Sequence, residues 1–285
     1  MKRIYFAFTA LLFTQTLLSQ TTSNLPGAKI VLTTGQKVTV ETDLSIEASL
    51  GMGMEMVSSS ISTNSLDVKS STEKTYTVSN TLTKLKMNMS SMGQSNSYDS
   101  ENKESNSEEM AGFFDERMNK PVDVIIDNNT GMSITEKKKD KKADDGDNAN
   151  MMGDMLGMFS NSSDDAVVSG AFEIAAAGKR IGDSWSDTSI SKEMKIFRTY
   201  TLNSLTGNEA IIKVAITSSA KNKLDFQGME FEIATETKTT GDIISDISTG
   251  LVKKRNTVSD ITGSFQLMGQ DMPITAKTTS VSIYK

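Results

Sequence analysis

The 285-residue chain contains no cysteine and no histidine, and this removes whole classes of chemistry. Without cysteine there are no disulfides, no thiolate nucleophile and no lipidated cysteine behind an export signal. Without histidine the usual metal sites and the Ser-His-Asp and Cys-His nucleophile systems are missing. Proline occurs only at 26, 121 and 273, and Trp185 is the sole tryptophan. Positive charge is also short, 30 Lys and Arg against 36 Asp and Glu, which disfavours nucleic acid and anionic lipid surfaces. Stability has to come from a buried apolar core.

Long hydrophobic runs are absent too. The most apolar stretch, "IYFAFTALLF" (Ile4 to Phe13), is too short to span a bilayer, which takes about 20 residues. It follows Lys2 and Arg3 and precedes "LLS", with the small residue Ser19 as a cleavage point, so residues 1–19 read as a secretory signal peptide. The expectation is an exported protein, periplasmic or extracellular, with no transmembrane segment after the signal and no cysteine-borne lipid anchor.

What remains is rich in Thr, Ser, Val and Ile in alternating runs, the pattern of strands with one apolar and one wet face. In "KVTVETDLSIEASLGMGMEM", Val38, Val40, Leu44, Ile46, Ala48, Leu50, Met52, Met54 and Met56 all fall on even positions. This reads as one unusually long strand, with Gly51 or Gly53 marking a bulge or bend. Leu85, Met87 and Met89 alternate likewise, as do Val122, Val124 and Ile126. So do Ala210 to Ile216, then Met229, Phe231 and Ile233, and finally Val281 with Ile283.

Two segments have helical spacing instead. "SEEMAGFFDERM" (Ser107 to Met118) starts with a Ser cap and an acidic first turn. "NMMGDMLGMF" (Asn150 to Phe159) carries a comparable apolar face. The block "EKKKDKKADDGDNAN" (Glu136 to Asn150) can bury nothing and reads as solvated linker. The composition shifts divide the chain into a β-rich lobe at 20–135, a charged linker with a short Met-rich helix at 136–165, and a second β-rich lobe at 166–285. Three echoes recur in the same order in both lobes: "GQKV" with "GDSW", "TYTV" with "TYTL", and "IIDNNTGM" with "IISDISTGL".

Searches for catalytic constellations find little. S-x-x-K spacings occur, as in Ser71–Lys74, but in a Ser-rich chain and without their partner elements. Placing Gly146 at the invariant glycine of a calcium loop puts Lys141 and Ala143 where carboxylates belong. "MGDMLGM" (Met152 to Met158) has M-x-x-M-x-x-M spacing that suits Cu(I) or Ag(I), yet the same spacing beside Leu156 and Phe159 makes an apolar stripe. Trp185 reads as a core anchor at a strand start.

"GKRIGDSWSD" (Gly178 to Asp187), with "TYTL" and "DISTGL" downstream and "LLSQ" at the signal end, resembles a family of uncharacterised exported Bacteroidota proteins. The resemblance implies a two-part β-rich protein whose second part opens on a Gly-Asp-Ser-Trp-like turn, and it implies no catalytic residue.

The expected fold is therefore mainly β: antiparallel curved sheets, half-barrel-like, in two related lobes with a few short amphipathic helices. That layout is similar to periplasmic lipoprotein and lipid carriers. The expected function is non-enzymatic, without cofactor or metal, in the cell envelope. The first reading is a binder of an apolar or lipid-like ligand, with Met52, Met54, Met56, Phe113 and Phe114 as candidate contacts. The alternatives are a structural or protein-interaction module of the periplasm or outer envelope, and soft-metal binding through the Met-rich segment.

Overall fold

The computed structural model describes residues 30–51, 53–91, 93–134, 163–173, 178–191, 194–226, 229–267 and 270–285. The first half supplies β1 (Lys37–Ser49), β2 (Glu55–Ser71), β3 (Thr75–Ser91), β4 (Gln94–Asp99) and β5 (Pro121–Asp127). The second supplies β6 (Ser184–Ile190), β7 (Met194–Thr206), β8 (Glu209–Phe226), β9 (Met229–Asp246), β10 (Val252–Leu267) and β11 (Gln270–Tyr284). Among the described residues two seven-residue α-helices accompany them, α1 (Glu108–Phe114) and α2 (Asp164–Gly170).

All eleven strands belong to one antiparallel sheet, ordered β4-β3-β2-β1-β11-β10-β9-β8-β7-β6, with β5 beside β4 on the outer flank of β3. The sheet is curved and unclosed. Most neighbours are hairpin partners. The exception that joins the halves is β1 on β11, a ladder from Val40–Tyr284 to Ser49–Thr275. The mainly β, antiparallel, half-barrel-like expectation thus takes the form of a single continuous sheet fed by both halves.

The run from Val38 to Met56 is not one strand but a hairpin, and this corrects the reading above. β1 ends at Ser49 and β2 starts at Glu55, with Gly51 and Gly53 at φ of 76° and 75° in the turn between them. Met54 N–H donates to the Gly51 carbonyl, and Leu50 N–H to that of Met54. A five-residue connection pairs Ala48 with Met56, even with even, so the apolar parity passes through the turn unbroken. Period-two reasoning cannot see such a turn.

Parity also explains a second difference. Val281 and Ile283 lie in β11, but its buried positions are Met272, Ile274, Ala276, Thr278 and Ser282, because the register with β1 sends even residues inward. In β3 the inward set switches from Val78 and Asn80 to Leu85, Met87 and Met89 across an irregularity at Thr83, whose hydroxyl donates to the Thr63 carbonyl at 2.9 Å.

The helices sit on the inner face. α1 falls within the expected Ser107–Met118 segment and buries Met110 and Phe114. α2 spans the expected boundary between the charged linker and the second β-rich lobe. Ser163 caps it, Asp164 and Asp165 fill its first turn, and Val168 is buried. Asn64 Nδ2 donates to Asn80 Oδ1 at 3.0 Å, and Asn80 Nδ2 donates to Asp164 Oδ1 at 2.6 Å, a relay that seats the helix start on β2 and β3. The expected helix at 150–159 lies outside the described residues.

Two of the sequence echoes adopt matching local structures. Before β1, Gly35 N–H donates to Val68 and the Gln36 side chain accepts from Thr33 N–H; before β6, Gly182 N–H donates to Leu202 and the Asp183 side chain accepts from Arg180 N–H. After β5, Asp127 Oδ1 accepts from the N–H groups of Asn129 and Thr130; after β9, Asp246 Oδ1 accepts from those of Ser248 and Thr249.

Burial pushes the Asp246 carboxyl up, but these bonds outweigh it and hold the carboxyl below the usual carboxylate range. The stabilisation is therefore present above the unfolded value of roughly 3.9 and is lost as pH falls through the lower folded value. Asp246→Ala is expected to cost about 1 kcal/mol at neutral pH. Urea denaturation as a function of pH checks this, and the gap to wild type should close on acidification.

Candidate functional site

The inner face carries three apolar clusters, a band of hydroxyls and an ionic group in which Arg198, Arg255 and Glu173 are largely buried and Asp187 is exposed. At the end nearest the turn between β1 and β2, Ile46, Ala48, Met56, Leu85, Met87, Met89, Tyr98, Ile261 and Ile274 pack with Met110 and Phe114 of α1. Tyr98 donates to Asp115 Oδ1 at 2.8 Å, and its ring lies 5.2 Å from that of Phe114. Burial, then the Asp115 bond, pushes the Tyr98 hydroxyl up to about 12. Phe113 meets Phe114 edge-on at 4.8 Å and carries the Arg117 guanidinium 4.7 Å above its ring.

The candidate contacts separate into two kinds. Met56 (2% exposed) and Phe114 (8%) are core. Phe113 is half-buried against the same cluster, with Leu50, Leu82 and Met118, and Met54 is half-buried in the turn next to Met56. Met52 lies outside the described residues, as does the M-x-x-M-x-x-M segment. Among the described residues no three carboxylates gather where they could hold a metal ion.

A second cluster at the opposite end joins Ile30, Leu32, Val38, Val40, Leu66, Val68, Val124 and Ile126 to Val168, Ala171 and Phe172 of and after α2. A third unites Tyr200, Leu202, Ala210, Ile212, Val214 and Ile243, with Trp185 packed against them. Trp185 stacks on Tyr200 at 5.5 Å and 15°, so it acts as the expected anchor at a strand start, but only half-buried.

Between these apolar ends the inward positions become small and hydroxylated. One row across the sheet runs Leu44, Ser280, Thr257, Gly241, Val214, Tyr200 and Trp185. The next runs Ile46, Thr278, Ser259, Thr239, Ile216, Arg198 and Asp187. Thr239 and Ser259 hydroxyls bond at 2.8 Å, and Thr42 and Ser282 at 3.0 Å. At Gly241 the strands approach so closely that a Cβ would strike the Asn256 carbonyl, which confines the position to glycine.

The ionic group lies beside this band. Arg255 Nη2 donates to Glu173 Oε2 at 3.0 Å, and Arg198 Nη1 to Asp187 Oδ1 at 2.8 Å and Ser189 Oγ at 3.1 Å. Burial raises the Glu173 carboxyl above its ordinary range although Arg255 opposes this. Burial also raises the hydroxyls of Tyr200 and Tyr284, and charges on Glu173 and Asp187 add to the shift at Tyr200. Burial would lower Arg255, but Glu173 and Tyr284 more than offset it, so the pair stays ionised on the arginine side. Sequence reading missed these groups. The legible signal was a charge at apolar parity, as in Ile196, Arg198, Tyr200 and Leu202.

The model of a family of unknown function, DUF6263, matches residues 73–252, from the turn before β3 to the first residue of β10. The chain belongs to that family. No curated protein matches it. Among solved structures it is similar to lipovitellin, described for its lipid–protein interactions, at 12% identity over 90% of this chain and a TM-score of 0.45. It spans only 25% of that lipovitellin chain. It is also similar to the COG4313 outer membrane channel from Pseudomonas putida F1, at 8% identity over 91% of this chain and 99% of that one, with a TM-score of 0.25. Pseudomonas aeruginosa OccK5 (OpdH) matches at 6% identity over 92% of this chain and 100% of that one, with a TM-score of 0.24. Among the described residues no helix is long and apolar enough to cross a membrane.

The split between floor and rim has a direct consequence. Phe114→Ala is expected to cost about 3 kcal/mol through the cavity it leaves, and Phe113→Ala about 1 kcal/mol. Urea denaturation of the two variants checks the ranking, and equal losses would contradict it.

Proposed function

We propose that the chain is an exported, non-enzymatic protein of the cell envelope that holds an apolar or lipid-like ligand at the methionine end of the inner face. One observation carries the reading. Half-buried apolar side chains, Leu50, Leu82, Phe113 and Met118, adjoin a buried floor of Met56, Met87, Met89 and Met110. Unbranched, polarizable methionines re-pack around ligands of varied shape, which suits a site that accepts apolar chains rather than one fixed molecule. Export rests on the signal-like residues 1–19, and the absence of cysteine and histidine supports a binding role over a catalytic one.

A second reading, a protein-interaction module, is favoured by the open margin of the sheet. There Ile190 (70% exposed), Met194 and Phe197 lie exposed on β6 and β7.

Titration with the apolar fluorophore N-phenyl-1-naphthylamine tests the ligand reading. Saturable one-to-one binding is expected, weakened at least tenfold by Phe113→Asp in a variant that keeps its β-sheet circular dichroism. Absence of saturable binding, or binding indifferent to Phe113→Asp, would overturn it.

A further inference from the structure

The hydroxyl band is anomalous because it occupies the face that should be core. On a one-sided antiparallel sheet, inward positions are apolar and the outer face takes the polar residues. Here the centre of the inner face is Thr and Ser across β9, β10 and β11: Thr237, Thr239, Thr257, Ser259 and Ser280, all half-buried. Thr239 and Ser259 bond to each other. Thr237, Thr257 and Ser280 have no side-chain hydrogen-bond partner among the described residues. Hydroxyls that are neither fully solvated nor paired are a cost the fold could remove with Val or Ala at the same positions.

The band has fixed neighbours. On β10 it passes within two residues into the methionine-end cluster at Ile261. In the other direction it reaches Arg255, two residues before Thr257, whose buried Nε has no hydrogen-bond partner. Its Thr257 row ends at Trp185 stacked on Tyr200. From Ile261 to Arg255 is six residues of strand, about 20 Å at 3.3 Å each. An amphiphile lying along the face would therefore meet apolar side chains at one end and hydroxyls and an aromatic face at the other.

Charge decides which kind of polar head fits. The two arginines each face a carboxylate, Arg255 on Glu173 and Arg198 on Asp187, and no surplus of either sign is left over in the group. A head with net charge that drew a partner from the Arg255–Glu173 pair would leave the displaced group buried and uncompensated. A neutral head with many hydroxyls needs no such exchange. It donates to and accepts from Ser and Thr, and lays its C–H face on an aromatic ring.

We propose that the hydroxyl band is the head-group half of the ligand site and that it selects an amphiphile with an uncharged, hydroxyl-rich head, of the sugar or glycerol kind. This rests on the apolar-ligand reading above and adds the head-group preference to it.

The test uses the full chain and three twelve-carbon amphiphiles below their micelle-forming concentrations: dodecyl maltoside, dodecylphosphocholine and laurate. Emission of the single tryptophan, Trp185, reports occupancy at the end of the band. The maltoside should bind at least tenfold more tightly than the other two and shift Trp185 emission on saturation. Thr257→Val with Ser280→Ala removes two unpartnered hydroxyls at nearly constant shape; it should abolish that preference by weakening the maltoside to the level of laurate. Thr257→Val alone serves if the double variant does not fold, with a smaller loss in the same direction. Equal affinities for all three amphiphiles, or a preference that survives the hydroxyl removal, would overturn the head-group assignment and leave apolar binding standing. No binding of any of the three would overturn both.

Discussion

The ladder between β1 and β11 is the constraint on which the rest of the molecule depends. It pairs residues from opposite ends of the chain, Leu44 with Ser280 and Ile46 with Thr278. Every other junction on the main path of the sheet is between strands adjacent in sequence, which a local turn can set. This one has no turn to hold it and must close a loop of over two hundred residues, at an entropic cost that grows only slowly with length. Its register decides that even positions of β11 face inward, and that choice passes strand by strand to β10, β9, β8 and β7. The positions of Thr257, Thr239 and Arg198 on the inner face follow from it.

The inner face that results is not uniform. Its two ends are closed by short helices that would be marginal alone and form because the sheet offers them an apolar surface. α1 contributes Met110 and Phe114, and α2 contributes Val168. The centre carries hydroxyls and matched charges instead. A sheet selected only for stability would continue Val and Ile through the middle, so the polar centre is where function is to be sought.

The strands were legible because period-two alternation survives single-sequence reading, as in Ala210, Ile212, Val214 and Ile216. The Gly51–Gly53 turn was not, because an odd-length connection preserves parity and mimics continuity. The inward orientation of β11 was hidden as well, since Val281 and Ile283 are the more apolar set while the register sends their neighbours inside. α2 was readable from Ser163, Asp164 and Asp165 but was masked by its brevity and its Val-Val pair, which favours strand. Of the candidate site, the methionine floor came from pattern. The Glu173–Arg255 pair came only from tertiary structure, which places residues 82 apart in sequence within 3.0 Å.

On the proposal above, the inner face is a ligand site rather than core alone. Native mass spectrometry of the protein purified from the cells that make it tests this most directly. The expected result is a bound species of fixed stoichiometry that organic solvent extracts as an amphiphile. A protein that flies at its bare mass under gentle conditions, with nothing recovered by extraction, would contradict it.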